Sequence, residues 1–271
     1  MGAGHSDPDI IWSLILAGAD INHREGDLHH GHTALTIAAH CCSSGKVIRM
    51  LTQAGANINA RVNNRMDALM FAASSRASLD VFSELVRAGA DVHARDEGAN
   101  TVLMMLAKRW AECTVDAMDR MREVIANANE GIKKRSSYST KEARDWLSDI
   151  ESVPLMVSAL LDAGAEVGCK NKVGDTALML SVRGSGYSNV PKILIKAGAN
   201  IDEQNKVGRT ALIDAVVDYF HTEPRVVLAI LQAGANVKLK DSAGLTALDY
   251  AKENKALAGT NALKLLTEAS K

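Results

Sequence analysis

The chain has 271 residues, 47% of them hydrophobic but only 4% aromatic, and its formal net charge at pH 7 is −1. A nearly neutral chain has no long-range field to attract nucleic acid or an anionic membrane, and the sequence has no run of eighteen apolar residues to span a bilayer. Its four cysteines lack CxxC spacing, which favours reduced thiols in a cytoplasmic protein and leaves a secreted effector open.

The first predicted element is a helix over residues 8–17, which leads into an Ala-Gly-Ala tripeptide centred on Gly18. Trp12 and Leu16 lie four residues apart and therefore share one face of this helix. In later copies of the same segment the matching positions are mostly polar, so we expect this apolar pair to be covered. Upstream sequence, a partner or a second copy could cover the pair, and simple tolerance of an exposed Trp12 is the remaining alternative. Self-association through Trp12 and Leu16 is one prediction.

Ala-Gly-Ala recurs along the chain with a period of about 34 residues. Its glycines are Gly18, Gly55, Gly89, Gly164, Gly198 and Gly234. A second block of the type Thr-Ala-Leu follows each glycine and begins at Thr33, Asp67, Thr101, Thr176, Thr210 and Thr246. Glycine after an apolar helix supplies a left-handed C-terminal cap, and threonine before Ala-Leu supplies an N-cap. Each unit is therefore predicted to be a polar turn, a helix, a second turn and a second helix.

This repeat resembles the ankyrin repeat, whose pattern joins D-x-x-G-x-T-P-L-H-x-A-A to a second helix that ends in L-L-x-x-G-A-D-V-N. The best copy reads Asn-Lys-Val-Gly-Arg-Thr-Ala-Leu at 205–212 and Ala-Gly-Ala-Asn-Val at 233–237. Alanine stands where the family usually has proline in most copies, and methionine replaces its histidine at Met70, Met104 and Met179. The resemblance covers nearly the whole chain. It implies an all-α helix-turn-helix solenoid with short β-hairpin-like fingers, in six repeats plus an N-terminal half repeat.

The third unit carries a long insertion between its two helices. Residues 101–164 span 63 residues where the matching segment 176–198 spans 22, so about 41 residues are inserted near 111–151. Apolar residues at helical spacing, including Val115, Ile125, Trp146 and Ile150, predict a helical hairpin there. Its basic connector at 131–139 is either a docking or phosphorylation segment or a solvated loop.

These features divide the chain into five segments. A partial N-terminal repeat occupies 1–19, repeats one and two with the first half of repeat three occupy 20–110, and the insertion occupies 111–151. The end of repeat three with repeats four and five fills 152–235, and a charged C-terminal capping repeat fills 236–271.

The resemblance also implies that a protein partner binds at the hairpin tips and on the exposed face of the first helices. The hairpin positions carried over are Asn64, Met66, Asn100, Lys172, Val173, Asp175, Lys206, Val207, Arg209 and Leu245. Those carried over on the first helices are His40, Lys108, Arg109, Arg183 and Asp218. Their mixture of basic and apolar side chains suits a protein or peptide with acidic and apolar groups. The scarcity of aromatic residues disfavours stacking of single-stranded nucleic acid.

No P-loop, HExxH, GxSxG or zinc-knuckle spacing is present, so the sequence predicts neither an enzyme nor a cofactor. The predicted function is a non-catalytic scaffold for protein–protein interaction. The alternative is a regulatory or targeting domain of a larger enzyme or secreted effector whose catalytic part lies outside this chain.

The first hairpin is three residues longer than the others and rich in histidine. It carries His23, Glu25, Asp27, His29, His30 and His32. Such a cluster is either a polar finger without a ligand, the interpretation we favour, or a site for zinc, nickel or copper.

Overall fold

The computed structural model describes residues 8–25, 31–41, 44–75, 77–114, 140–183, 189–217 and 222–271. Over these residues the chain is helical, and its β structure is limited to isolated antiparallel bridges such as Arg95–Thr101 and Lys240–Thr246. The prediction of an all-α fold is therefore confirmed. The chain divides into two compact units, unit 1 (Met1–Leu106 and Leu155–Glu166) and unit 2 (Ala107–Pro154 and Val167–Lys271).

Unit 1 begins with a lone helix and continues with helix pairs. Its helices are α1 (Pro8–Leu16), α2 (Ala34–Cys41), α3 (Gly45–Gln53), α4 (Ala68–Ser74) and α5 (Leu79–Arg87). The first helices of successive pairs pack on each other, α2 on α4, and so do the second helices, α1 on α3 and α3 on α5. This is the nearest-neighbour packing of a repeat protein.

Two longer helices extend into the predicted insertion at 111–151 from its two ends. Residues 102–114 form α6, and α7 (Thr140–Asp162) is one continuous helix of 23 residues. Pro154 lies inside α7 and stands ten residues before Gly164, as Pro8 and Pro224 stand ten before their own glycines. By the repeat pattern the second helix would begin at Pro154, whereas α7 begins upstream of it, at Thr140. Val115, Ile125 and the connector at 131–139 lie outside the described residues.

Unit 2 repeats the helix pairs of unit 1. Its helices include α8 (Ala177–Val182), α9 (Asn189–Lys196), α10 (Ala211–Val217), α11 (Pro224–Gln232), α12 (Ala247–Glu253) and α13 (Asn261–Ala269). The first helix α10 packs between α8 and α12, and the second helix α11 packs on both α9 and α13. The core consists of the apolar faces between these helices, where residues such as Leu178, Leu194, Leu212 and Ile230 are fully buried.

The predicted caps account for where the helices begin and end. Thr176, Thr210 and Thr246 each accept a hydrogen bond at Oγ1 from the amide three residues later, at 3.2–3.3 Å. All six glycines of Ala-Gly-Ala have positive φ, between +84° and +91°, a region that L side chains rarely adopt. Both predictions from the sequence are confirmed.

The second repeat, in unit 1, departs from the repeat pattern at two positions, Asp67 and Arg65. Asp67 replaces threonine and still accepts a hydrogen bond from the Met70 amide. Arg65 stands in the position of the turn glycine and adopts φ +60°, and Ala99 does the same in the next turn. The chain therefore keeps the positive φ of the turn glycine at two positions where glycine is absent, and Asn64, next to Arg65, also has φ +55°.

Candidate protein-binding surface

Three identical turns project from unit 2. Lys172 and Val173 occupy the two central positions of the first turn, which the Gly174 amide closes by donating to the Asn171 carbonyl at 2.9 Å. The Gly208 and Gly244 amides close the second and third turns with the same bond, again at 2.9 Å. Each tip therefore presents two consecutive side chains, and these are Lys172–Val173, Lys206–Val207 and Ser242–Ala243.

The residue that opens each turn holds it in shape with its own side chain. Asn171 Oδ1 accepts from the amides of Val173 and Asp175, at 3.1 and 2.9 Å. Asn205 makes the same two bonds in the second turn, and Asp241 makes them in the third. Because the last three amides of each turn are bonded within that turn, the tip conformation does not depend on a ligand.

Neighbouring tips are joined through their backbones. The Lys206 amide donates to the Val173 carbonyl at 3.1 Å, and the Ser242 amide donates to the Val207 carbonyl at 2.9 Å. Gly174 permits this approach, since a Cβ there would lie 2.8 Å from the Lys206 nitrogen. The three tips therefore form one hydrogen-bonded row.

Apolar and basic side chains stand together on this row. Val173 is 58% exposed, Val207 50% and Leu245, at the base of the third turn, 39%, while Lys172 and Lys206 are also exposed. We call these five residues the tip row. Exposed aliphatic groups next to lysines are suited to a partner with apolar and acidic side chains.

An ion network lies beneath the tip row. Arg183 makes a bidentate pair with Asp175, at 2.6 and 2.7 Å, and a second pair with Asp214, at 3.0 and 2.8 Å. Asn205 Nδ2 adds a hydrogen bond to Asp175 at 2.8 Å. One guanidinium thus links the first turn, α8 and α10, and it fixes the base on which the tips stand.

The pKa values of the two carboxylates in this network shift in opposite directions. Burial raises the pKa of Asp214, and the nearby charge of Asp175 raises it further, against the attraction of Arg183. Burial also acts on Asp175, but the hydrogen bonds from Arg183 and Asn205 outweigh it and lower its pKa. Asp175 is therefore the more firmly ionised partner of Arg183.

Two of the predicted contact residues are buried instead. Asp175 is held within the network beneath the tips, and Arg109 is buried in α6. The prediction that they meet a partner directly conflicts with this burial, because the repeat pattern gives a residue's position in the unit but not its neighbours. Arg183 and Arg209 are half-buried, and Arg209 lies 4.0 Å from Asp214. Asp218 lies outside the described residues.

The remaining predicted residues belong to other turns and helices. Asn64 is exposed at a turn of unit 1, where its carbonyl accepts from the Glu97 amide at 3.0 Å. Asn100 is half-buried and bonds Asp96 within its own loop, and Met66 is half-buried. His40 is exposed, with Nδ1 3.3 Å from Cys41 Sγ. Lys108 is exposed and pairs with Glu112 at 3.6 Å.

The histidine-rich hairpin is described only in part. Asp27, His29 and His30 lie outside the described residues, and His32 packs against Phe71 with ring centroids 5.1 Å apart. Within the described part of the chain, no group of three or more His, Cys, Asp or Glu residues is placed to hold a metal ion. Over the same residues, no helix is both long and apolar enough to cross a membrane.

Helix α1 exposes four large apolar side chains, and the repeat pattern predicts only two of them to face outward. Trp12 and Leu16 are exposed, as are Ile10 and Leu14. Ile10 and Leu14 occupy positions eight and four residues before the repeat glycine, which are apolar in every copy. They therefore match core positions in the sequence, and only the structure reveals that they are exposed.

A family model for ankyrin repeats matches this chain in three copies, over residues 1–96 and 151–241. Because these ranges cover more than half of its 271 residues, the chain belongs to the ankyrin repeat family. Ankyrin repeats generally mediate protein–protein interaction and are typically non-catalytic scaffolds.

Solved structures share the fold at low sequence identity. An ankyrin repeat domain from Acinetobacter baumannii AYE is 24% identical with a TM-score of 0.63, over 87% of this chain and 97% of that one. A chain from the complex of the Bdellovibrio bacteriovorus predatory endopeptidase Bd0816 with immunity protein Bd3460 is 22% identical with a TM-score of 0.59, over 86% and 96%.

The ankyrin repeat domain of Bcl-3, a member of the IkappaB family, is 19% identical with a TM-score of 0.59, over 96% of this chain and 91% of that one. All three likenesses fall below 25% identity and show the fold alone. No curated protein matches the sequence significantly.

Proposed function

We propose that this chain is a non-catalytic recognition protein that binds a protein or peptide partner through the tip row of unit 2. The observation that carries the proposal is the exposure of Val173 and Val207 beside Lys172 and Lys206 on turns that are bonded to one another. Exposed aliphatic side chains on the central positions of rigid turns contribute nothing to the core of this chain.

The rigidity of the tips favours binding. Every turn is closed by a backbone bond and braced by an Asn or Asp side chain, so little conformational entropy remains to be lost when a partner binds. Val173 and Val207 supply apolar area, and the two lysines supply charge for orientation and a faster encounter. The partner chemistry that fits is a segment with acidic side chains flanking apolar ones.

A charge reversal with a matched control tests this proposal. Lys172→Glu with Lys206→Glu alters the tip row, while Lys192→Glu with Lys238→Glu makes the same change in charge at two exposed sites elsewhere in unit 2. Chemical cross-linking in cells of the source organism, followed by mass spectrometry, compares both variants with the native chain. We expect a set of partner proteins to be lost from the tip-row variant and kept by the control.

Equal capture by all three proteins contradicts the proposal, as does an equal loss from both variants. The circular dichroism spectra and unfolding midpoints of both variants are measured in parallel, because a loss of fold would also reduce capture. A third variant, Val173→Ser with Val207→Ser, keeps the charge unchanged. It is expected to weaken capture as well, since the apolar half of the tip row is removed.

A further inference from the structure

An apolar groove lies beside α1 in unit 1, with a volume of about 330 Å³. Its apolar lining includes Ile11, Leu14, Ile15, Ala34, Ile37 and Leu51. Asp20 and Glu25 add two carboxylates to the lining, and His23 and His32 add two imidazoles. We call this site the α1 groove.

Comparison with the other repeats shows that part of this site is a core position left uncovered. Ile10 and Leu14 stand eight and four residues before Gly18, and they are 48% and 45% exposed. At the same two positions before the other five glycines, no residue is more than 2% exposed. Those ten residues are Val47, Leu51, Val81, Leu85, Met156, Leu160, Val190, Leu194, Val226 and Ile230. Trp12 and Leu16, by contrast, match positions that are exposed or half-buried in every copy.

The other repeats also show what kind of structure belongs there. In each described pair the second helix packs on the first helix of its own repeat, α3 on α2, α5 on α4 and α11 on α10. Four of the first helices, α2, α4, α8 and α10, bury a leucine followed three and four residues later by small or β-branched residues. In α10 these residues are Leu212, Ala215 and Val216. Helix α1 has no such first helix among the described residues.

We infer that the α1 groove is a docking site for an amphipathic helix of a partner protein, with leucine and small residues at i, i+3 and i+4 on its buried face. Basic side chains at the beginning of that helix would complement Asp20 and Glu25. This site is independent of the tip row, because no residue is shared between the two.

A second copy of this chain fits the groove poorly. The described helices with the required pattern already bury it, since Leu35, Leu69 and Leu212 are at most 1% exposed. Pairing of two α1 helices is also insufficient, because a helix of nine residues is only about 14 Å long. A stable interface buries about 800 Å² on each partner.

A peptide and two matched variants test the inference. The probe copies residues 205–217, which contain Lys206, Arg209 and the pattern of α10, and a hydrocarbon staple on its outer face holds the helix. Leu14→Glu places a charge in the groove, while Leu16→Glu makes the same substitution two residues away, at a position exposed in the other repeats. Fluorescence anisotropy of the labelled peptide gives the affinity.

We expect saturable binding to the native chain, an affinity for Leu16→Glu within about twofold of native, and at least a tenfold loss for Leu14→Glu. No binding to the native chain, or an equal loss from both variants, overturns the inference. Concentration-dependent self-association that Leu14→Glu abolishes also overturns it, since the occupant is then a second copy.

A variant of the chain with a helix added before Pro8 distinguishes a groove that binds a partner helix from a groove filled by a helix of the same polypeptide. Residues 205–223 lead directly into Pro224, and α1 likewise begins at Pro8, so a copy of 205–223 placed before Pro8 keeps the register. Stabilisation of the extended chain by about 3 °C or more, together with binding of the free peptide that the extension blocks, supports a site for a helix. Stabilisation without any binding of the free peptide assigns the groove to a preceding helix of the same polypeptide and overturns the partner proposal.

Discussion

At the scale of single residues, Asp67 shows how one substitution changes a repeated position. Five other copies have threonine there, and Asp67 caps α4 equally well by accepting from the Met70 amide at 3.0 Å. Its second oxygen, Oδ2, is buried and accepts no hydrogen bond, and its nearest described cation is Arg61 at 3.7 Å. Burial raises the pKa of Asp67 above its ordinary value, so its charge is a cost to the fold.

We predict that Asp67→Asn stabilises the protein at pH 7 by about 1 kcal/mol, the scale of an unsatisfied buried acceptor. Asparagine keeps the cap and removes the buried charge. Because the folded-state pKa of Asp67 is raised, its penalty is full at pH 7 and disappears once the pH falls below its unfolded pKa. Urea unfolding between pH 7 and pH 3.5 should therefore show the two curves converging as the pH falls. A less stable Asn variant at pH 7 would show that the attraction of Arg61 outweighs the burial.

Arg183 is the residue on which the base of the tip row depends. We predict that Arg183→Met destabilises the protein at pH 7 by about 2 kcal/mol, because two buried carboxylates lose their guanidinium. This figure lies below that of a fully buried pair, since the Arg183 side chain is 39% exposed. Arg225→Met is the control, because Arg225 is largely exposed and lies 3.8 Å from its nearest carboxylate oxygen. Equal unfolding midpoints for the two variants would contradict the prediction that Arg183 stabilises the fold.

At the scale of elements, substitutions at two glycines compare the cost of a strained backbone alone with the cost of strain plus a steric clash. Gly234 ends α11 at φ +90° with open space around it, whereas Gly208 has φ +73° and a Cβ there would lie 2.9 Å from the Asp241 Cα. Gly234→Ala should cost about 1–2 kcal/mol from the positive φ alone. Gly208→Ala should cost more, since the backbone of the neighbouring turn must also move. Denaturant unfolding measures both, and an equal cost would contradict the close approach of the tips.

The sequence predicts most of these elements because each rests on a local rule. Threonine and glycine determine where helices begin and end, whatever packs against them. The caps at Thr176 and Gly198 can therefore be predicted from the local sequence alone. The continuous helix α7 could not be predicted from the sequence. Pro154 indicates a helix start and gives no information on what precedes it. The burial of Asp175 was likewise unpredictable, since it depends on Arg183 and Asn205, which lie 8 and 30 residues away.

At the scale of the whole molecule, repetition accounts for both proposed surfaces. In unit 2 three successive turns are alike and bonded together, so side chains far apart in sequence form one row. In unit 1 the helix α1 has the core residues of a complete repeat, but the described residues include no first helix that covers them. The sequence predicted the tip residues from their place in the repeat. It did not predict the α1 groove, because the groove arises from an element that the described structure lacks.

Site-specific photo-cross-linking in cells is the most direct test of whether the tip row of unit 2 contacts a partner protein. A benzophenone amino acid is placed at Val173, at Val207 and, as a control, at Arg225, all three in unit 2. We predict that positions 173 and 207 capture the same partner and that position 225 does not. Capture of that partner from position 225 alone, or equally from all three positions, would contradict the account.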